Sequence, residues 1–407
     1  MKLKNLLIET SRHLRSTAGR LAALLPGSSI RFGPPRRVAT TSSLDAPSSV
    51  IRHSILPART APHTTMELAD PPLDEWLQQP RPADIREIYV AELRRGRYWG
   101  RFHGYIIDRH DTLLTDLSPT FRPQDKRHDG LNQLRLPPLR ELRGTVAVIN
   151  TLFSSNFHHW LLDTLPRFEW LRRAGWSWDA IDHFIVSPEL LRFHHETLAL
   201  LGIDKTKLIC SGPDLHVRAD LLLAPSHSEP ANEPLQHYYT PEGLRFVREL
   251  GLKDNPFLPQ KHPGRIIISR EKAKSRRLVQ AGRANELLLA QGFEKILLED
   301  YSFQEQAAFF HHADCIVMPT GGNLANFVFC RPGAVAIELF SRGYVPPFTY
   351  SLMDEIGLRY YGIVADKISR PHPDARGNDE DIDVDPDRLA EIVRGALAKF
   401  EANLPHP

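Results

Sequence analysis

Cys315-Ile-Val-Met-Pro-Thr-Gly-Gly-Asn-Leu-Ala-Asn-Phe-Val-Phe-Cys-Arg-Pro-Gly-Ala-Val-Ala-Ile-Glu-Leu-Phe340 reads as strand, glycine loop, short helix and strand. Cys315–Met318 and Ala334–Phe340 read as strands, with Leu324–Phe329 the short helix between them. Outward from this unit the pattern repeats. Before it come strand Arg265–Ser269, helix Ala284–Gln291, strand Lys295–Leu298 and helix Phe303–His311; after it come helix Phe348–Ile356 and strand Arg359–Val364. Strand and helix in strict alternation predict a doubly wound parallel sheet.

The first half alternates less regularly. Short β-rich pieces (Glu87–Leu93, Phe102–Ile107, Thr112–Leu117), read as a small sheet or hairpins that begin the first domain, precede strand Thr145–Ile149, helix Phe157–Arg173, strand His183–Val186, helix Glu189–Leu201 and strand Ala219–Ala224. After helix Pro241–Leu250, residues 251–264 are dense in Pro, Gly and charge and read as an interdomain linker. The expected α/β architecture is two Rossmann-like doubly wound domains facing a cleft, over residues 71–255 and 256–370. Residues 1–70 form a mostly disordered basic tail, and residues 371–407 an acidic loop and terminal helix.

With 407 residues, 42% of them apolar, the chain can bury two cores of ordinary size. Residues 1–65 carry ten Lys/Arg against two Asp/Glu, leaving 41 against 47 in the rest, so the body is mildly acidic. That speaks against nucleic acid as a partner, which would need a basic stripe on the folded part. Cys210, Cys315 and Cys330 are too scattered for a disulfide framework, and a reducing, cytoplasmic compartment is expected. No apolar run reaches the roughly 18 residues of a membrane span. Residues 1–25 set Lys2, Lys4, Arg12, Arg15 and Arg20 among leucines, without a signal-peptide core; they read as an unordered tail or as a peripheral contact with an anionic membrane. Residues 26–65, rich in Ser, Thr, Pro and Arg, extend that tail.

Three constellations bear chemistry. Asn156-Phe-His-His-Trp-Leu-Leu-Asp-Thr-Leu-Pro-Arg167 puts His159 and Asp163 four apart on one helix face, and Pro166, which has no N–H for Leu162, predicts a kink. The pair suits a general base; it equally suits buttressing of the kink. Ser269-Arg270 at a strand end, with Ser275-Arg276-Arg277 and Asn285-Glu286 after it, offers guanidinium forks to a diphosphate, or forms a solvated basic loop with Lys272 and Lys274. In the third, Gly321 and Gly322 let the backbone approach an anion, and Glu338 at a strand end is set to accept ribose hydroxyls; a plain glycine turn and a charged strand end are the alternative.

No metal site is expected. The pairs His158/His159, His194/His195 and His311/His312 are adjacent, so their side chains diverge by about 100° around a helix. Asp381-Ile-Asp383-Val-Asp385 reads as solvated acids ending in an N-cap, Asp385, with Pro386 opening the last helix. There is no P-loop, no Gly-x-Ser-x-Gly and no Gly-x-Gly-x-x-Gly.

Together these segments resemble the family 61 glycosyltransferases. Residues 156–167 are similar to that family's N-[YF]-x-H-W-x-x-[DE]-x-L-P-[RK] block, and Ser269-Arg270, Ser275-Arg276-Arg277 and Asn285-Glu286 to its arginine block. Residues 296–340, with Gln306, Ala313, Gly321, Leu324, Asn326, Phe329, Pro332, Gly333 and Glu338, are similar to its C-terminal block. The resemblance implies a GT-B fold, a nucleotide-sugar donor, a glycan or lipid-linked acceptor in surface-polysaccharide synthesis, inversion, and no required metal or other cofactor. It implies Asp163, aided by His159, as base, and Arg270, Arg276 and Arg277 on the departing diphosphate. Thr320, Gly321, Gly322, Asn323, Asn326 and Glu338 would hold the donor. One segment departs: the family's Pro-His-Gly-Ala-Gly-Leu is here Pro319-Thr-Gly-Gly-Asn-Leu324. Thr320 keeps a hydrogen-bond donor but loses the ring and its charge, which motivates the alternative of a non-catalytic sugar-nucleotide- or glycan-binding subunit.

Overall fold

The computed structural model describes residues 35–44, 50–60, 67–68, 84–101, 104–118, 135–227, 239–346, 349–375 and 377–402. The readings on residues 1–25 and on Phe102 and Phe348 lie outside the described residues. The chain divides into two compact units, Met1–Arg59 with Ile85–Leu235, and Thr60–Asp84 with Gln236–Pro407.

The first unit is built on one mixed sheet of β1 (Arg37–Ala39), β2 (Val50–Leu56), β3 (Ile88–Arg94), β4 (Arg97–Trp99), β5 (Tyr105–Ile107), β6 (Thr112–Leu114), β7 (Arg140–Val148), β8 (His183–Val186), β9 (Leu208–Cys210) and β10 (His216–Pro225). Their order is β1-β6-β5-β4-β10-β7-β8-β9, with β3 also on β10 and β2 on β3. Strands β10, β7, β8 and β9 run parallel, whereas β3 and β4 pair with β10 antiparallel. This corrects the expectation of a doubly wound first domain. Connections of two to five residues from β3 to β6 are too short to carry a parallel crossover, so those strands form a meander. The helical elements are α1 (Phe157–His159), α2 (Pro166–Arg173) and α3 (Arg192–Leu200).

The tail is corrected as well. Strand β1 pairs with β6, and β2 pairs with β3 from Val50↔Leu93 to Leu56↔Ile88. Composition averaged over residues 26–65 hid the short run Val50-Ile-Arg-His-Ser-Ile-Leu56, which needs only a neighbouring ladder to become a strand.

In the second unit β11 (Arg265–Ile268), β12 (Glu294–Ile296), β13 (Cys315–Pro319), β14 (Val335–Phe340) and β15 (Arg359–Val364) lie in the order β12-β11-β13-β14-β15, and the short strand Glu67–Leu68 extends the edge beyond β15. All these pairs are parallel. The order reverses between β11 and β13, the switch point at whose carboxyl ends ligands of open α/β sheets bind. The unit's helices are α4 (Pro241–Leu252), α5 (Ala281–Leu289), α6 (Phe303–His312), α7 (Tyr350–Ile356) and α8 (Pro386–Glu401). Ile267, Val317, Ile337 and Ile363 pack with Ala284 and Leu288 of α5 and Leu389 and Val393 of α8; the alternate side chains Ile266, Ile268, Ile316 and Met318 are buried too. Strands covered on both faces account for the unbroken apolar runs.

Helix α4 and residues 253–264 belong to this unit rather than to a first domain and a linker. Arg248 Nη1 donates to the Val328 and Cys330 carbonyls, Asn255 Nδ2 to Gln304 O at 2.8 Å, and the His262 ring stacks on His312 at 4.8 Å. Such tethers give a Pro-rich segment a fixed path that composition does not reveal. The acidic stretch is only partly solvated. Asp385 does cap α8, its Oδ1 accepting from Arg388 N at 2.9 Å, but Glu380 and Asp381 are buried, and Asp381–Asp383 pairs antiparallel with Lys367–Ser369. Among the described residues no helix is long and apolar enough to cross a membrane. A Cβ at Gly251 would collide with the Phe329 ring. Gly251→Ala should therefore destabilise the protein by about 1–3 kcal/mol in urea unfolding, although alanine is the better helix former.

Candidate functional site

In the first unit the functional side chains follow β7. Asn156 caps α1, its side chain accepting from His158 N at 2.9 Å. A wider turn, Trp160–Thr164, comes next, with Leu165 N bonded to Trp160 O five residues back, before α2 opens at Pro166. The single kinked helix read from the sequence is thus interrupted by a π turn. Since Pro166 offers no N–H to Leu162, the ladder absorbs an extra residue there.

His159 Nδ1 lies 2.7 Å from Asp163 Oδ2, with the side chains 19% and 20% exposed. An ionised carboxylate only accepts, so Nδ1 holds the proton and Nε2 is the basic nitrogen. Thr164 Oγ1 bonds to His159 O at 3.1 Å and to Thr151 Oγ1 at 2.6 Å, fixing the turn against the loop after β7.

Arg167 lies just beyond. Its Nη2 donates to Val148 O at 3.2 Å and its Nη1 to Ser226 O at 3.3 Å, bridging the carboxyl ends of β7 and β10, where the parallel order reverses. It forms no ion pair among the described residues, and burial pushes its guanidinium down to about 9. Its place at the end of the His159 block was the one signal for it.

In the second unit Arg270 follows β11 and Gly321 follows β13, on either side of the switch point. A Cβ at Gly321 would collide with the Arg270 guanidinium, so the glycine leaves the space the arginine fills. Arg276, at φ 57°, sets its guanidinium 5.8 Å from the centre of the Tyr344 ring. Arg270 is pushed down to about 10, by burial first and then by the charge of Arg276. Neither arginine is ion-paired among the described residues, and the buried Nε of each has no hydrogen-bond partner. Two like charges with unmet donors make a site for an anion.

The other donor-side residues separate. Thr320 and Gly321 are buried, while Gly322 and Asn323, half-buried, start the 3₁₀ segment Gly322–Phe329. Arg277 is engaged elsewhere, its Nη2 3.0 Å from Asp381 Oδ2 and its backbone N 2.9 Å from Oδ1. Asn326 is fully buried and bonds Gln306 at 3.0 Å. Among the described residues, no group of three His, Cys, Asp or Glu could hold a metal ion.

Residues 157–337 match the family model Glycosyltransferase 61. That match supports assignment to glycosyltransferase family 61. The family 61 segment contains His159, Asp163, Arg270, Arg276, Arg277 and Thr320 to Asn326, and the activity it supports is that of a glycosyltransferase. None of the curated proteins matches the chain.

Just outside the family 61 segment, Glu338 lies inside β14 rather than at its end, and it is fully buried. Its Oε2 accepts from Tyr360 OH and, at 3.1 Å, from Thr349 Oγ1, two partners with no mark in the sequence; its buried Oε1 has none. Burial pushes the carboxyl up to about 7, against the pull of the Tyr360, Thr320 and Thr349 hydroxyls and the Arg276 charge. Folded pKa therefore exceeds unfolded pKa. The stability this proton contributes is complete below the usual 4.5 and is lost as pH rises through about 7, on the order of 3 kcal/mol in all. Urea unfolding at about pH 5 and pH 8 should show that loss in the wild type and its removal in Glu338→Gln.

Proposed function

We propose that this family 61 protein transfers a sugar from a nucleotide-sugar donor to a glycan or lipid-linked acceptor, with inversion and without a required metal ion, in surface-polysaccharide synthesis. The observation that supports it is the Arg270–Arg276 pair at the β11/β13 switch point, with buried Nε donors that nothing among the described residues satisfies. The GT-B reading, which gives the donor to the second unit and the acceptor to the first, rests on the resemblance. Cytoplasmic placement, with residues 1–25 against a membrane surface, rests on their basic, leucine-rich composition.

The acceptor hydroxyl oxygen bonds to the anomeric carbon on the face opposite the diphosphate, and the old carbon–oxygen bond breaks with its electron pair going to the phosphate. His159 Nε2 takes the hydroxyl proton, and Asp163 holds the imidazolium that forms. Arg270 and Arg276 meet the charge growing on the departing nucleotide, and the backbone from Gly321 to Asn323 lies against its phosphates. Strand β14 supports that loop: Thr320 N donates to Leu339 O at 2.8 Å. Arg277, held by Asp381, serves the fold.

Thermal stabilisation by UDP, GDP or CMP sugars in EDTA is the direct test, since a ligand at a hundred times its Kd adds about 2.7 kcal/mol. The wild type should shift with one nucleotide, Arg270→Met should not, and Arg277→Met should start from a lower midpoint yet still shift. No shift in folded wild type sinks the donor site. Asp163→Asn and His159→Ala should lower kcat by about 10² to 10⁴ with little change in thermal midpoint; unchanged kcat would reduce the pair to a buttress of the π turn. Stabilisation without any transfer or donor hydrolysis would favour the second reading, a sugar-nucleotide-binding subunit, which Thr320 at the family's His position motivates.

A further inference from the structure

Phe153 sits in the loop between β7 and α1 with φ 58°, in the left-handed region that a bulky side chain avoids, and is 50% exposed. Its ring centre lies 5.1 Å from that of His159, tilted by 40°. An exposed aromatic ring alone means little, but this one is held out by a loop pinned on both sides. Before it, Thr151 bonds Thr164 at 2.6 Å, and Asn150 Nδ2 bonds Tyr98 OH at 3.0 Å. After it, Ser154 Oγ donates to Asn150 Oδ1 at 2.8 Å, His194 Nε2 lies 2.9 Å from Ser154 O, and Asn156 N donates to Phe153 O at 2.7 Å. Gly or Asn would make the same turn without strain. A strained conformer that its surroundings enforce, and that exposes apolar surface instead of burying it, points to a ligand.

We infer that Phe153 is a stacking platform for a pyranose ring of the acceptor, set beside the base that would deprotonate it. The inference rests on the proposed role of His159 and Asp163 on the acceptor side. One face of a β-pyranoside carries the axial C–H groups at C1, C3 and C5, which are apolar and slightly positive, the complement of the negative face of a phenyl ring. A sugar lying flat on Phe153 turns its edge hydroxyls toward the neighbouring imidazole, so the platform orients the acceptor as well as holding it.

Saturation-transfer NMR with methyl β-D-glucopyranoside and methyl β-D-galactopyranoside, on the full chain, tests this without any need for turnover. Transfer should fall on the axial C–H protons in the wild type, drop about tenfold in Phe153→Ala and Phe153→Gly, and persist in Phe153→Trp and Asp163→Asn. Equal transfer in Phe153→Ala, no transfer from either glycoside in the wild type, or loss in Phe153→Trp each overturns the platform. Full turnover in Asp163→Asn would remove the base while leaving the platform standing, so the two ideas fail separately.

Discussion

Two half-buried guanidinium groups, Arg270 and Arg276, lie close enough for the charge of Arg276 to act on Arg270, with the Nε of each buried. Burial and then the charge of Arg276 disfavour the charge of Arg270, and no carboxylate is paired with either among the described residues. The fold keeps them there by other means. Arg270 ends a strand whose isoleucines are locked in the core, Gly321 leaves the volume its guanidinium needs, and the left-handed backbone at Arg276 points that side chain toward Tyr344. Glu338 does not cancel the charge, because burial favours its neutral form. Unmet guanidinium donors of this kind are what the proposed diphosphate would satisfy.

The first unit solves a different problem, how to hold an imidazole and a carboxylate together at the start of a helix. Pro166 removes one rung, the π turn takes up the slack, and Thr164, turned back to His159 O, fixes the result. Arg167 ties the carboxyl ends of β7 and β10 beneath the same segment with neutral carbonyls as its partners, which is why burial lowers it so far. The strain at Phe153 belongs to this frame, since only surroundings so thoroughly hydrogen-bonded can enforce it.

What was legible in the sequence is what local chemistry controls. Asp385 caps α8 ahead of Pro386, accepting from the backbone N–H of Arg388 three residues on. The spacing of His159 and Asp163 put them together in a helix of either pitch. Other features depend on partners distant in sequence. Strand β2 exists because β3 is beside it, residues 253–264 are ordered by α6, and Asp381 is buried because Arg277 reaches it across more than a hundred residues.

By itself the sequence determined the alternation that makes the second unit a parallel sheet, the family model that residues 157–337 match, and the three constellations that are candidates for chemistry. Each is written in contiguous stretches, where hydrophobic period, glycine and proline act on their immediate neighbours. Tertiary structure decided which arginine remains available to a ligand and which is spent on a buried aspartate, whether Glu338 meets solvent, and where the chain passes from one unit to the other. Those outcomes turn on which groups lose water together. Burial and pairing are properties of the packed whole, and no window of sequence contains them.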